Sequence, residues 1–389
     1  MSGMDPELFE QFIDQLERYV RERLIPAERE VIEADRIPDS IVDEMREMGL
    51  FGLTVPEEYG GAGLSTSQYA RVVNTMAYAA PAYRSIFSIN VGMFNSAIKN
   101  GATEAQKAEW WPRIAAGEIA CFGLTEPGSG SDSAAMATTA RPDPSGNGWI
   151  LNGTKRYITN APHAAVGLIM ARTEKDALPK NAHVSAFIVP MDTSGVTVGS
   201  PDHKMGQSGS HIADVIMEDV RVGGEALLGG ELGKGFAFAM MSLDNGRMSV
   251  GAAATAYARR ALDSATRYAT ERKAFGESIA NFQLIQQMLA QSEIDIYAAE
   301  CMMEDVTRRA DAGENVLRKA AAFKVFASEM CGRVVDACVQ VYGGAGYLAE
   351  YDAERFFRDA RIYRIYEGTT QILQLQIAKH MLREFAAAN

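Results

Sequence analysis

Three stretches near the C-terminal end, residues 234–270, 282–312 and 315–342, run in helix-forming text far longer than the ~11 residues of an ordinary globular helix. Helices that long bury their apolar faces by packing on one another, so the spacing predicts a bundle. A last helix is expected from about Thr369. From Pro6 to about Gly117 the apolar spacing is again helical. Leu8, Phe12, Leu16 and Val20 recur at intervals of four, and Ile41, Met45 and Met48 form a second stripe. The Gly/Pro-rich GLFGLTVPEEYGGAGLS reads as a loop between helices. Between these regions the period changes. WILNGTKRYIT, AVGLIMAR, HVSAFIVP and ADVIMEDVRV are short, rich in Val, Ile and aromatic residues, and separated by turn signals such as Asn152-Gly153. Strand follows strand without an intervening helix, which predicts an antiparallel barrel or sandwich. The chain therefore reads as an α+β protein, mostly α. An N-terminal all-α domain (1–117) precedes a middle β domain (118–225) and a C-terminal four-helix-bundle-like domain (226–389).

With 389 residues, 47% of them apolar, the chain can bury a large core over two or three domains. A net charge of −12 argues against nucleic acid, which needs a basic face. Cys121, Cys301, Cys331 and Cys338 form no CxxC, and three of them lie in Ala-rich helical text. Free thiols in a reducing compartment are expected. The five histidines are scattered without ligand spacing, so no metal is expected. The start, MSGMDPELFEQF, lacks the basic-then-apolar order of a signal peptide, and no apolar run reaches the ~18 residues of a membrane span. A cytoplasmic protein is expected.

Four segments could carry chemistry. Leu124–Asp132, LTEPGSGSD, offers free backbone N–H groups and hydroxyls of the kind a phosphate or flavin edge needs, although such composition alone more often marks a plain turn. It is not a dinucleotide fingerprint, because no βαβ unit surrounds it. Tyr342–Ala349, YGGAGYLA, matches G-x-G-x-x-A mechanically but follows helical text where a strand is required, so it reads as a helix C-cap. In Ile362–Ile372, IYRIYEGTTQI, an apolar and aromatic run delivers Glu367 just before a glycine and a helix start. That residue is either a first-turn Glu complementing the helix dipole or a poorly solvated general base. The residues by themselves leave both open. Glu271–Gly276, ERKAFG, places a basic pair beside an aromatic; it is a solvated charge run or a phosphate contact.

Taken together, VPEEYGGAGLS, LTEPGSGSD, NGTKRYITNA, HKMGQSGS, ERKAFG, QVYGGAGY and RDARIYRIYEGTTQI, in this order, resemble the acyl-CoA dehydrogenase family over nearly the whole chain. The resemblance implies an FAD-dependent enzyme that desaturates an acyl-CoA thioester and passes electrons to electron-transferring flavoprotein. It implies flavin contacts from Phe122, Leu124, Thr125 and Ser131, with Ser131 also touching the substrate. Tyr157, Ile158 and Thr159 match the strand along the flavin ring, where relatives more often carry Trp than Tyr157. Arg272, Phe275 and Gln283, with Gln340, Gly343 and Gly344, match residues that reach FAD across a subunit interface, so a homotetramer built as a dimer of dimers is implied. Thr369 and Gln371 resemble further flavin contacts, Asp244 and Arg247 residues that hold CoA, and Glu367 with Gly368 the substrate contact that includes the base. In some branches the base instead precedes the Arg of the LDxxR phrase; here that position is Gly246, which leaves Glu367. An acyl-CoA oxidase and a non-catalytic flavin- or acyl-CoA-binding scaffold are the alternatives.

Overall fold

The computed structural model describes residues 3–173 and 183–388. The N-terminal helices are α1 (Pro6–Tyr19), α2 (Ile25–Ala34), α3 (Asp39–Glu47), α4 (Thr66–Met76), α5 (Pro81–Ser88), α6 (Asn95–Gly101) and α7 (Glu104–Ala115). Their starts are set locally. The Asp5 carboxylate accepts the Glu7 and Leu8 N–H groups at 3.0 and 3.3 Å, and Pro6 opens α1. Capping boxes, Ser65 with Gln68 and Thr103 with Gln106, open α4 and α7. One expected stripe is rotated: Leu8 is 55% exposed, and the buried face of α1 is Phe9, Ile13 and Leu16, continued by Val20. The apolar residues on both sides of Leu8 satisfy a helical period, and only packing decides between them. The 49–65 segment is a loop with one short helical turn, Glu57–Tyr59.

The middle strands fall where the text predicts: β3 (Trp149–Thr159), β4 (Val166–Arg172), β5 (Val184–Pro190) and β7 (Ile212–Val222), together with β1 (Ala120–Gly123), β2 (Thr139–Pro142) and β6 (Val196–Val198). The expectation of a purely antiparallel barrel or sandwich needs correction. The sheet is mixed, because β1 runs parallel to β4 with Ala120 opposite Val166, and β2 touches β4 in parallel at Thr139 and Arg172. A parallel pair needs a crossover, and here β2 and β3 supply it in place of a helix. Absence of helices between strands therefore does not force antiparallel pairing.

The bundle consists of α8 (Gly235–Glu271), α9 (Gln283–Asp311), α10 (Leu317–Tyr342), α11 (Asp352–Ala360) and α12 (Thr370–Ala388), with the small hairpin β8 (Lys273–Ala274) and β9 (Glu277–Ser278) between α8 and α9. Residues 246–258 of α8 are buried on every side, as expected of a helix threaded through a core. Gly251 lets the ring of Phe323 on α10 press directly on the α8 backbone. All four cysteines are free thiols, and Cys121, Cys331 and Cys338 are buried. No helix among the described residues is long and apolar enough to cross a membrane.

Two sets of polar ties hold the three regions in one arrangement. The first is a buried network. Glu28 of α2 accepts the Ala80 N–H that opens α5 at 2.8 Å and the Arg355 guanidinium of α11 at 2.8 Å. Asp359 of α11 accepts the Tyr257 hydroxyl at 2.7 Å and the backbone N–H of Gln207, from the loop ahead of β7. Burial pushes both carboxyls above their ordinary range, and Arg355 opposes it. The second set joins the N-terminal helices to the sheet. Asn90 donates to the Glu118 carbonyl at 2.6 Å and accepts the Ala120 N–H at 2.8 Å, while Asn160, one residue past β3, donates to the Ser85 and Ile86 carbonyls of α5.

Removing Arg355 takes a cation from two buried carboxylates, leaving Glu28 with only Arg260 at 3.6 Å. Arg355→Met is expected to cost ~3–5 kcal/mol, read as a lowered denaturation midpoint in urea. An unchanged midpoint would show that the network contributes nothing to stability.

Candidate active site

Glu367 lies in the turn between the helical residues Arg361–Arg364 and α12, and its geometry excludes the dipole-complementing surface reading. Its φ is +52°, and the next residue, Gly368, has φ +100°. A side-chain-bearing residue in the left-handed region is strained by ~1–3 kcal/mol and persists only where its surroundings dictate it. Those surroundings are visible. Lys324 of α10 donates to the Gly368 carbonyl at 2.8 Å, while Glu329 accepts the Thr370 hydroxyl at 2.7 Å and Arg364 at 3.3 Å, pinning the start of α12 to α10.

This turn aims the carboxylate inward. Oxygen Oε2 of Glu367 is buried and has no hydrogen-bond partner. It sits against Gly246 of α8, where a Cβ would collide with it. Arg84, Lys324 and Arg247 surround it with positive charge. Burial raises the Glu367 pKa, the three cations pull it back, and the net shift is upward. A carboxylate held ionised by nearby charge, yet left without a donor of its own, has spare capacity for a proton. Burial also lowers the Lys324 pKa to about 8.

The other sequence-singled residues fall in three places. Phe122 and Leu124, at and just past the end of β1, are buried, and the Thr125 carbonyl accepts the Arg156 N–H at 2.8 Å, so LTEP and RYIT lie side by side. The pairing of β3 with β7 slips between Lys155 and Ile158, and Tyr157 there takes φ +60°. A bulge re-aims a side chain. Tyr157 is accordingly 58% exposed with the Arg156 guanidinium over its ring, while Ile158 is buried and Thr159 half-buried. Below them Lys155 and Glu126 form a fully buried ion pair at 2.6 Å; Glu126 also accepts the Ala137 and Thr138 N–H groups, which fixes the GSGSD loop. Ser131 is exposed on that loop, and neither Gly128 nor Gly130 has any atom near its missing side chain. An uncovered aromatic ledge beside free hydroxyls fits the edge of a flavin.

The second place is α8, where Asp244 and Arg247 form an ion pair, with Arg247 buried and its Nε unpartnered. The third is an open surface: Arg272, Gln283, Gln340, Gly343 and Gly344 are exposed and Phe275 is 97% exposed at the β8–β9 turn. The helix end predicted at YGGAGY is present, since α10 stops at Tyr342 and Gly343 takes φ +60°. Thr369 is half-buried and Gln371 exposed. Sequence reasoning missed Arg84, Lys324 and Ser249. The first two left a signal: each is a single cation inside apolar helical text, AYRSIF and AAFKVF, where an unpaired charge is costly.

Gly246→Ala is expected to drive the Glu367 carboxylate ~1 Å or more from its present place. A crystal structure of the variant with that carboxylate unmoved would refute this account of the chamber.

The chain matches the family descriptions "Acyl-CoA dehydrogenase, N-terminal domain" over residues 6–118, "middle domain" over 121–220 and "C-terminal domain" over 233–382. It is 38% identical to the human mitochondrial short-chain specific acyl-CoA dehydrogenase over 98% of this chain and 91% of that protein. Among solved structures, butyryl-CoA dehydrogenase from Megasphaera elsdenii superposes with a TM-score of 0.92 at 32% identity, covering 98% of this chain and all of that one. An acyl-CoA dehydrogenase from Bacillus anthracis complexed with FAD gives 0.90 at 33% identity, covering 99% of this chain and 69% of that one. A full set of three matching domains on a chamber built around one inward carboxylate makes this chain a member of the acyl-CoA dehydrogenase family of FAD-dependent oxidoreductases.

Proposed function

We propose that the chain desaturates an acyl-CoA thioester between its α and β carbons, giving the trans-2-enoyl-CoA, with Glu367 as the base. The observation that carries this reading is the buried, unpartnered Oε2 of Glu367. Desaturation removes a proton from the α carbon and a hydrogen with its electron pair from the β carbon. No side chain accepts a hydride, and FAD when bound supplies that acceptor. The protein's own part begins with acidity. The α-proton of a thioester is weakly acidic, and donors aimed at the carbonyl oxygen, worth ~3–4 kcal/mol each, make its removal feasible. Among the described residues no hydrogen bond takes up the Glu367 backbone N–H, which leaves it available to such an oxygen. The carboxylate then takes the α-proton and becomes neutral in a buried setting that favours the neutral form.

For the cofactor, Phe122, Leu124, Thr125, Ser131, Tyr157, Ile158, Thr159, Thr369 and Gln371 would hold the flavin within one subunit, and Asp244 with Arg247 would hold the CoA moiety. The exposed set Arg272, Phe275, Gln283, Gln340, Gly343 and Gly344 would reach the FAD of a second copy. Support for that role comes from its lack of cover and from exposed Leu284, Ile294, Tyr297, Leu375 and Phe385 on the same bundle, an apolar surface suited to subunit contact. We read the assembly as a homotetramer in the cytoplasm, with electron-transferring flavoprotein as the electron acceptor and Ser131 and Gly368 as further substrate contacts.

Glu367→Gln should keep FAD and acyl-CoA binding while turnover falls by ~10²–10⁴; near-normal turnover would remove Glu367 from the base role. In the wild type, kcat/KM should fall as pH drops through the raised Glu367 pKa, so the acid limb lies above the ordinary carboxyl value of 4.5. Lys324→Met deletes one cation that holds Glu367 ionised. It should move that limb to still higher pH, and a limb that stays put or moves down would contradict the assigned electrostatics.

A further inference from the structure

Arg84 has entered so far only as one of the three cations around Glu367. It stands on α5, 4% exposed, and donates to the Ser249 hydroxyl of α8 at 2.9 Å. Its Nε has no partner. The other buried cations are answered: Lys155 by Glu126 at 2.6 Å, Arg355 by Glu28 at 2.8 Å, Arg247 by Asp244, and Lys324 by the Gly368 carbonyl at 2.8 Å. Arg84 forms no ion pair among the described residues, although its charge acts on Glu367.

The groups around it are rich in donors. Its charge also acts on Tyr69, Tyr363 and Tyr366, and the hydroxyl of Tyr363 is buried without a partner. Glu367 Oε2 is the only carboxylate oxygen among the buried unpartnered atoms of this cluster, and the base must stay free for the α-proton. A guanidinium fork beside an unpaired phenol, met by a serine hydroxyl but by no hydrogen-bonded carboxylate among the described residues, is complementary to a carboxylate brought by a ligand. Its position limits that ligand. Ser249 follows Gly246 by three residues, so both lie on one face of α8. The base sits at one and Arg84 at the other, about 4.5 Å apart along the helix axis. A cavity of about 120 Å³, not itself lined by Arg84, adjoins Ser249 and Tyr69, with Asn95, Ser96, Lys99 and Asn245 on its wall.

We propose that Arg84 binds a carboxylate at the far end of the acyl group, and that the substrate is the CoA monothioester of a short dicarboxylic acid. The inference rests on the desaturase reading and specifies its substrate class. The chemistry is unchanged: Glu367 takes the α-proton, the β-hydrogen leaves with its electron pair to FAD, and the distal carboxylate is not altered. A straight monocarboxylic chain of the same length would set a methyl group against the unpaired guanidinium, which is unfavourable.

The test compares succinyl-, glutaryl- and adipoyl-CoA with butyryl-, pentanoyl- and hexanoyl-CoA, by anaerobic bleaching of the flavin and by kcat/KM, in the FAD-loaded enzyme. The best dicarboxylic ester should exceed its monocarboxylic counterpart by ~10-fold or more, and Arg84→Met should lower that ratio by ~10²-fold or more. Arg84→Lys, which keeps charge without the fork, should lie between. Calorimetry of glutaryl- and pentanoyl-CoA on Glu367→Gln, with and without Arg84→Met, reads the same discrimination without turnover. Bleaching by the monocarboxylic esters alone, or a ratio that Arg84→Met leaves intact, overturns this inference and leaves the desaturase reading standing. No bleaching by either class overturns both. If Arg84→Met does not fold, the wild-type ratio and Arg84→Lys decide.

Discussion

A carboxylate buried without a hydrogen bond is expensive, and everything around Glu367 exists on terms set by that cost. Three cations favour its ionised form, yet its buried Oε2 accepts no hydrogen bond, so their charge acts while the proton site stays open. The turn that aims it is itself strained, with left-handed backbone at Glu367 and Gly368, and is held by Lys324 and Glu329 of α10. Gly246 contributes by having nothing to contribute: its bare α-carbon is the space the carboxylate occupies.

No single domain could build this chamber. Arg84 comes from α5, Gly246 and Arg247 from α8, Lys324 from α10 and Glu367 from the turn before α12. The middle sheet joins through Asn160, whose amide grips the carbonyls of Ser85 and Ile86 beside Arg84. The strand carrying Tyr157 and the helix carrying Arg84 are therefore tied to each other directly. The network of Glu28, Arg355, Asp359, Tyr257 and Gln207 repeats the same logic further out, tying all three regions with buried polar groups that are costly to separate. Placing polar ties at the seams between regions fixes their relative orientation more sharply than apolar contact does.

Much of this was legible before any coordinate. The long helices end within a residue or two of where their spacing stops, and four of the strands coincide with the alternating segments, because both rest on local periodicity. The family phrases carried the identification and pointed to Glu367. The α1 stripe and the antiparallel sheet were misread for one reason: several faces or pairings satisfy the same local pattern, and only the rest of the protein chooses among them.

The sequence by itself determined the order and kind of elements, the presence of a carboxylate ahead of the last helix, and the glycine at position 246. Tertiary structure alone decided that this carboxylate turns inward, that Arg84 and Lys324 meet it from two separate helices of the chain, and that Arg84 is left without a carboxylate of its own. Helix and strand follow from neighbours a few residues apart. The ionisation and solvation of a buried group follow from whatever the fold brings within a few ångströms, and no local pattern in the chain records that.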